Sequence, residues 1–515
     1  MDGGASTQAA KSVAIVGGGI AGLCAGIYAQ MNGYRSRIHE MHDAPGGLMT
    51  AWERKGYTID YCIHWLVGSS PASNMHKLWR EVGLLRDVRI VDLDVWFEYE
   101  DGRGQTVTFW RDVDRLEAHI LELSPADAEL IRRMLGDVRR LARADMPADM
   151  PPRELVRIRD TVKATPAMVP WLLPSRRWGK LTMGDLAARF RSSLLRDAFV
   201  SLMPAPMGAM ALLVTLAWLH AGNAGYPLGG SLPLARNLER RYRELGGEIR
   251  YGSRVASIAT QRTGGADRAC GLVLADGTVE PAEAVISAAD GHATIYDMLD
   301  GAYLDDELRG VYEREALPLF SPILFVGVGV ARDFAGEPRR ISGLHLTLDE
   351  RIGAGAVDTG LLAVRIGNFD PALSPSGKTV VTATIEADGP YWIGLRERDR
   401  EQYKAEKKRI GDAVVRALDR RYPGLADQVE MVDVATPATT LRYTGNWRAS
   451  FEGFLPTPAY LMKGLPRRLP GLDDFYMAGQ WVQPGGGLPT GVMTGREVVQ
   501  LVCRRDGVAF RTSTV

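Results

Sequence analysis

The sequence predicts an α/β protein in which a Rossmann-like, doubly wound domain is interleaved with a mixed α+β domain. Three observations carry that reading. A Gly-rich turn, "GGGIAG", joins a buried strand pattern to a helix pattern near the start of the chain. Strand-like and helix-like segments then alternate through 515 residues with no repeat and no low-complexity linker. A second glycine cluster, "PGGG", opens another helix pattern fewer than forty residues from the end. A chain of this length holds two or more cores, since single cores rarely grow past about 250–300 residues.

The elements follow in order. "SVAIV" reads as a buried strand, "GGGIAG" as a tight turn, "LCAGIYAQMNG" as a helix closed by Gly33, and "SRIHEM" as a second strand. "YTIDYCIHWL" reads as a further short strand. From about Leu116 to Arg196 the pattern is helical and basic, with 15 Lys/Arg against 6 Asp/Glu between Ile131 and Arg196, a local net of +9. Solvated helix faces explain such a stretch, and so does a surface that rests against anionic lipid. Ala198 to Ala235 is 38 residues without an ionisable Asp, Glu, Lys or Arg. Its densest apolar run, Ala209 to Leu219, is shorter than the roughly 20 residues a bilayer needs. A buried helix and loop is the expectation there, with a segment dipping into a membrane surface as the alternative.

Farther on, "PLARNLERRYRELGGEIRYGSRVASIATQ" reads as helix, turn and strand, and "ACGLVLADGTVEPAEAVISAAD" as a hairpin on an Asp-Gly turn followed by a buried strand. Residues 315–395 are strand-rich, and 398–421 form an amphipathic, charge-laced helix. The expected division is 1–90 and 226–300 with 470–515 for the dinucleotide domain, 91–225 for a helical lid, and 301–469 for a strand-bearing substrate domain.

Composition narrows the function classes. The formal net charge is zero, which lacks the basic footprint of a nucleic-acid binder. Four scattered cysteines (Cys24, Cys62, Cys270, Cys503) form no C-x-x-C pair, and fit reduced thiols in a cytoplasmic protein better than a disulfide frame or a metal site. The N-terminal "MDGGASTQAAKS" has no apolar core of the kind a secretory leader needs.

Gly17, Gly19 and Gly22 form G-x-G-x-x-G between strand and helix. The first permits the tight turn, the second lets backbone approach a pyrophosphate, and the third lets helix and sheet close up. The pyrophosphate then faces the positive end of the helix. Glu40 lies 18 residues past Gly22, at a strand end where a carboxylate takes ribose hydroxyls. The spacing points to an adenine dinucleotide and leaves NAD and FAD both open.

Two further motifs, "E-x-x-x-x-P-G-G" from Glu40 to Gly47 and "G-Y-x-x-D" from Gly56 to Asp60, resemble the phytoene desaturase group of FAD-dependent oxidoreductases. That group includes carotene desaturases, isomerases and retinol saturases, and is related to flavin amine oxidases. "YPLGGSLPLARNLERRYRELGGEI", "AVISAAD" and "TPATTLRYTGNWRASFEGF" extend the resemblance along the whole chain. It implies non-covalent FAD, with the N-terminal turn on the adenine half and the C-terminal glycines (Gly485, Gly486, Gly487) bringing a helix N-terminus to the ring half. The contacts it implies are Gly17, Gly19, Ile20, Ala21, Gly22, Glu40, Gly46, Gly47, Leu48, Val255, Gly479, Gln480, Gly487, Leu488, Pro489 and Val492. Gln480 stands where the family usually carries Asp, so it can hydrogen-bond but adds no charge.

For the chemistry, His64 in "YCIHWL" is the preferred catalytic candidate, because the family places that strand beside the flavin ring, where a histidine could protonate, deprotonate or orient a polyene or enone. A core histidine satisfied by backbone is the alternative, and the same pair of readings applies to His220. Trp65 is expected to pack. The uncharged stretch "SLMPAPMGAMALLVTLAWLHAGNAGYPLGG" is expected to line a tunnel for a long apolar substrate, or to be core. Asp60-Tyr61-Cys62 replaces the usual "F-D-x-G" of carotene desaturases. Desaturation or isomerisation of a carotenoid-like polyene stays open, but that departure tilts the expectation from classical carotenoid desaturation towards a tailoring reaction such as reductive cyclisation of a polyene macrolactam. NADPH would then be a reductant docking directly over the flavin, as no second fingerprint exists. The rival functions are a flavin amine oxidase and a non-catalytic prenyl-binding escort protein of the same fold. Peripheral membrane contact is the one macromolecular partnership expected, and the sequence leaves the oligomeric state open.

Overall fold

The computed structural model describes residues 10–461 and 463–514. Most of the stretch examined for a leader, residues 1–9, lies outside them. Three separate pieces of chain build a five-stranded, all-parallel sheet. Its order is Glu248–Arg250, Arg35–His39, Ser12–Val16, Ala284–Ser287 and Phe475–Met477. Ser12–Val16 and Ala284–Ser287 are apolar almost throughout and buried, as central strands covered on both faces must be. Their carboxyl ends run into Gly17, Glu40, Ala288 and Ala478, so one crevice opens where all of those strands stop.

Two helices roof that crevice, Ile20–Met31 and Gly487–Arg505. They pack closely because the second presents glycine to the first. A Cβ at Gly491 would lie 2.4 Å from Ile20 Cγ2, and one at Gly495 2.7 Å from the Ala21 carbonyl. The sequence ends are thereby joined at one place.

The second layer is a seven-stranded mixed sheet, in the order Val429–Ala435, Ile323–Val330, Thr379–Glu386, Val357–Ile366, Arg340–Ala354, Val95–Glu100, Thr106–Trp110. One face packs on the helix Arg400–Arg421 through Val326, Val364, Val414 and Leu418. Against the other lies a hairpin, Ala51–Arg54 and Tyr57–Asp60. Gly327 and Gly329 admit it, since a Cβ at either would sit 2.6 Å from Ile59 or Tyr57.

Two differences from the sequence reading concern this layer. Val95–Glu100 and Thr106–Trp110 fall in the region expected to be a helical lid, yet they are the last two strands of the large sheet, with Thr106–Trp110 at its edge. "YTIDYCIHWL" is not one strand. It ends its hairpin at Asp60, turns through Tyr61 to Trp65, and pairs again at Leu66–Val67. Asp60 enforces the break by accepting hydrogen bonds from the Cys62 and Ile63 amides, both 3.0 Å.

A helical layer spans Val113 to His220. Its helix Ala209–His220 has nine of twelve residues buried, packed with Ile131, Met134 and Phe199 in the main core. The expectation that the uncharged stretch lines a tunnel is therefore corrected. An all-apolar helix with no polar face is a core element, and of the whole stretch only Leu202 reaches the cavity described below.

Candidate functional site

The crevice is walled first by the N-terminal turn. Gly17 has φ +94°, a left-handed conformation that favours glycine, and its amide donates to the His39 carbonyl at 2.9 Å. Gly19 caps Ile20–Met31 with no side-chain hydrogen bond, leaving the first-turn amides facing the crevice. A Cβ at Gly19 would meet only the Gly46 carbonyl, at 3.9 Å, so it would stand in the space a ligand needs. Gly22 serves a different purpose. A Cβ there would fall 1.9 Å from the Gly17 carbonyl, so glycine is what lets the helix close on the strand.

Glu40 ties these parts together. One carboxylate oxygen accepts from the Gly18 amide at 2.6 Å and the other from the His42 amide at 2.8 Å. Gly46 donates to the Gly18 carbonyl at 2.9 Å, bringing Gly46, Gly47 and Leu48 beneath the first turn. The opposite wall is the C-terminal segment. Gly479 donates to Thr494 Oγ1 at 2.8 Å, and Gly486 (φ +56°) caps Gly487–Arg505 with no side-chain bond. Two helix N-termini, both capped by glycine alone, thus line one crevice.

Of the residues anticipated from sequence, Gly17, Gly19, Ile20, Ala21, Glu40, Gly46, Gly47, Leu48, Val255, Gly479, Gln480, Gly487 and Leu488 stand on the crevice wall. Gly22, Pro489 and Val492 do not. Gly22 is a packing position, Val492 lies in the core, and Pro489 sits past the wall in the first turn of its helix. The cradle of side-chain-free positions, amide-bearing helix ends and a carboxylate fits an adenine dinucleotide. The residues that would hold its pyrophosphate are Gly19, Ile20 and Ala21, and those at the far end are Gln480, Gly487 and Leu488.

His64 does not line the crevice. It faces a separate cavity of about 160 Å³, bounded also by Trp65, Trp96, Phe97, Leu202, Phe325, Ser342, His345, Ala363, Val364, Arg365, Thr382 and Thr384. Cys62, two residues earlier, is on the crevice side, so only the Cys62–His64 turn separates the two spaces. Burial, then the Arg365 guanidinium and His345, hold the His64 imidazole down at about 3. At neutral pH the ring is uncharged. A role for His64 as an imidazolium donor is corrected accordingly, and what the ring offers is orientation or acceptance of a hydrogen bond. His220 is a structural cap, its Nδ1 accepting from the Val113 amide at 3.3 Å.

Two crevice residues escaped the sequence reading. Burial pushes the carboxyls of Glu452 and Asp290 each up to about 7. Asp290 accepts from the Ala293 and Trp447 amides at 2.8 and 2.7 Å, and so pins the segment that carries Glu452. Glu452 has no hydrogen-bond partner among the described residues, and its Cβ would lie 3.0 Å from a Cβ at Gly486, beside the C-terminal glycines. A buried carboxyl poised near neutrality at such a place can hold or yield a proton. The signal was present as a lone acid in the apolar "ASFEGF".

Comparison with known proteins bears on the crevice directly. Residues 20–503 match the family described as flavin containing amine oxidoreductase. The phytoene desaturase (neurosporene-forming) of Rhodobacter capsulatus is 24% identical over 523 aligned positions, covering 96% of this chain and 95% of that one. The chloroplastic prolycopene isomerase of Daucus carota is 24% identical, covering 92% of this chain and 77% of its own. Among solved structures, a putrescine oxidase variant shares the fold with a TM-score of 0.61 at 14% identity, over 96% of this chain and 99% of its own. Cyclohexylamine oxidase from Brevibacterium oxydans does so with a TM-score of 0.57 at 14% identity, over 97% and 100%.

Proposed function

The chain belongs to the flavin containing amine oxidoreductase family and is an FAD-dependent oxidoreductase of phytoene desaturase and isomerase type, and from that premise we propose that it acts on a long, apolar, conjugated substrate. The bound flavin would supply hydride transfer at its N5, in desaturation, isomerisation or the reductive cyclisation of a carotenoid-like or polyene macrolactam skeleton. The observation that carries the reading is the meeting of two glycine-capped helix N-termini, Ile20–Met31 and Gly487–Arg505, on one crevice with Glu40. The first-turn amides would hold the pyrophosphate, and the C-terminal amides would stabilise the negative charge that reduction of the flavin creates. Glu452 holds or accepts a proton at the same end. Phe325, Tyr61 and Phe451 continue from the cavity to the crevice with ring centroids 5.0 and 5.6 Å apart, an apolar surface that excludes water. In a reductive direction, NADPH would dock over the ring.

The amine oxidase reading is disfavoured by charge. Arg365, a buried cation, borders the cavity next to the crevice and opposes a substrate ammonium. The escort-protein reading leaves the intact glycine cradle and Glu40 without a purpose.

A membrane contact is part of the proposal. In the helix Ile158–Trp178 only Pro174 and Trp178 are buried. Ile158, Val162, Val169 and Leu172 form one exposed apolar stripe at helical spacing, flanked by exposed Arg157, Arg159, Lys163, Arg176 and Arg177. No helix among the described residues is long and apolar enough to cross a bilayer. Such a stripe would let the enzyme draw an apolar substrate from a lipid surface.

The test is anaerobic incubation of the purified protein with polyenes and, separately, with primary amines. Conversion or isomerisation of a polyene, read by its own absorption, with no flavin bleaching by amines supports the proposal. Rapid bleaching by an amine and inertness to every polyene would overturn it.

A further inference from the structure

The cavity beside the crevice has a floor set by sheet register. Phe325 pairs with Thr384, Thr384 with Ala363, and Ala363 with His345, one row across four strands. In the next row Thr382 pairs with Arg365. Strand alternation sends Val364 and Ile366 into the core beneath, which leaves Arg365 on the cavity face. The remaining lining includes His64, Trp65, Trp96 and Leu202.

Arg365 is unusual for a residue in such a place. It is 7% exposed, and no described carboxylate lies within ion-pairing distance of it. Nη1 donates to the Ile63 carbonyl at 2.6 Å, and the guanidinium lies 4.7 and 5.4 Å from the Tyr226 and Phe369 rings. Nη2 has no partner. The buried carboxyl that feels its charge, Asp60, already accepts four hydrogen bonds, from the Cys62, Ile63 and Ser231 amides and the Ser231 hydroxyl. Trp96 Nε1, Ser342 Oγ and His345 Nδ1 are also buried around the same space without partners among the described residues. Arg365 and Trp96 can only donate, and Ser342 has a proton to give. A buried cation with spare donors is costly unless something accepts from it.

We propose that this cavity is an oxyanion anchor, in which Arg365, with Ser342 and Trp96, receives the carboxylate or enolate end of an otherwise apolar substrate. The proposal rests on the reading of the chain as an oxidoreductase of long apolar substrates, and deepens it by fixing the polar end. A planar guanidinium matches a planar two-oxygen acceptor, and the neutral His64 and His345 rings add no competing charge. Because Arg365 grips Ile63, between crevice-facing Cys62 and cavity-facing His64, an anchored end lies one turn of chain from the crevice.

The experiment titrates the holoenzyme with three probes, following quenching of tryptophan fluorescence as Trp65 and Trp96 are covered. The probes are all-trans-retinoate, all-trans-retinol and an enolised long-chain acylcyclohexanedione. Retinoate or the dione, or both, should bind at least about tenfold more tightly than retinol. Preference for the first assigns a carboxylate, and preference for the second an enolate. Arg365→Met should remove the preference while retinol binding stays within about twofold. Ser342→Ala, which removes a donor with no folding partner, should weaken oxyanion binding alone, and Arg365→Lys should restore part of it. Equal affinity for all three probes, no oxyanion binding to the wild type, or a preference that survives Arg365→Met in flavin-loaded protein would overturn the anchor. Polyene turnover without such a preference would leave the proposed reaction standing and the anchor refuted.

Discussion

Replacing Val162 and Leu172 together by serine tests the lipid-facing helix quantitatively. The two side chains sit on one stripe and are 65% and 67% exposed. Burying a Val or Leu side chain fully is worth about 2 kcal/mol, so two-thirds of each is about 1.3 and the pair about 2.6 kcal/mol. That converts to a membrane partition about 80-fold weaker. Folding should be unaffected, because neither residue is buried and the helix is held by Pro174 and Trp178. The assay is co-sedimentation with phosphatidylcholine vesicles with and without phosphatidylserine. Wild type should bind the anionic vesicles and release as salt shortens the screening length towards about 3 Å at 1 M. If wild type stays in the supernatant with both vesicles, or the double variant partitions as wild type does, the stripe is a solvated face and the argument fails.

Three further outcomes follow from the site. Gly22→Ala forces a Cβ to within 1.9 Å of a backbone oxygen, so it should abolish flavin retention, read from the visible spectrum, whereas Gly18→Ala meets the Glu40 side chain at 3.2 Å, a contact relieved by a shift of a few tenths of an ångström, and should retain more of it. Glu452, raised to about 7 by burial, is held neutral by the fold. Its contribution to stability is fully present below the unfolded value of about 4.3 and is lost as pH rises through 7, of order 3–4 kcal/mol. In flavin-free protein, Glu452→Gln should therefore lose less Tm between pH 5 and 8 than wild type does. His64→Ala and His64→Phe should both keep flavin, and loss of one orienting hydrogen bond worth about 1–1.5 kcal/mol should slow turnover by about tenfold. Because the ring is neutral above about 3, the wild-type rate should show no His64 inflection between pH 5 and 8, and wild-type turnover by both variants would make His64 a packing residue.

The crevice was legible in the sequence to the degree that its parts are local. Strand, glycine turn, helix and Glu40 lie within 29 residues of one another from Ser12 onward, and each glycine position has a steric reason that spacing reveals. The answering C-terminal glycines were legible too, since a helix start after three glycines needs something other than a side chain to satisfy its amides. The cavity was not legible. Its floor depends on which strands pair and in what register, and Arg365, Thr382, His345 and Phe325 become neighbours only through pairing. The warning sign was a single charge inside the apolar run "GLLAVRIGNF". The strand Val95–Glu100 was missed because five of its six residues are buried, which erases the alternation that marks a half-buried strand. The uncharged stretch misled in the opposite direction. Composition alone does not distinguish the wall of a tunnel from a helix enclosed by its neighbours.

The central claim is that the two glycine-capped helix ends hold FAD without a covalent link. The most direct measurement is acid precipitation of the purified, folded protein, followed by chromatography of the released chromophore against FAD and FMN and by its ratio to protein. The account predicts unmodified FAD, close to one per chain, all of it in the supernatant. Recovery of FMN, flavin retained in the pellet, or folded protein that yields no flavin would contradict it.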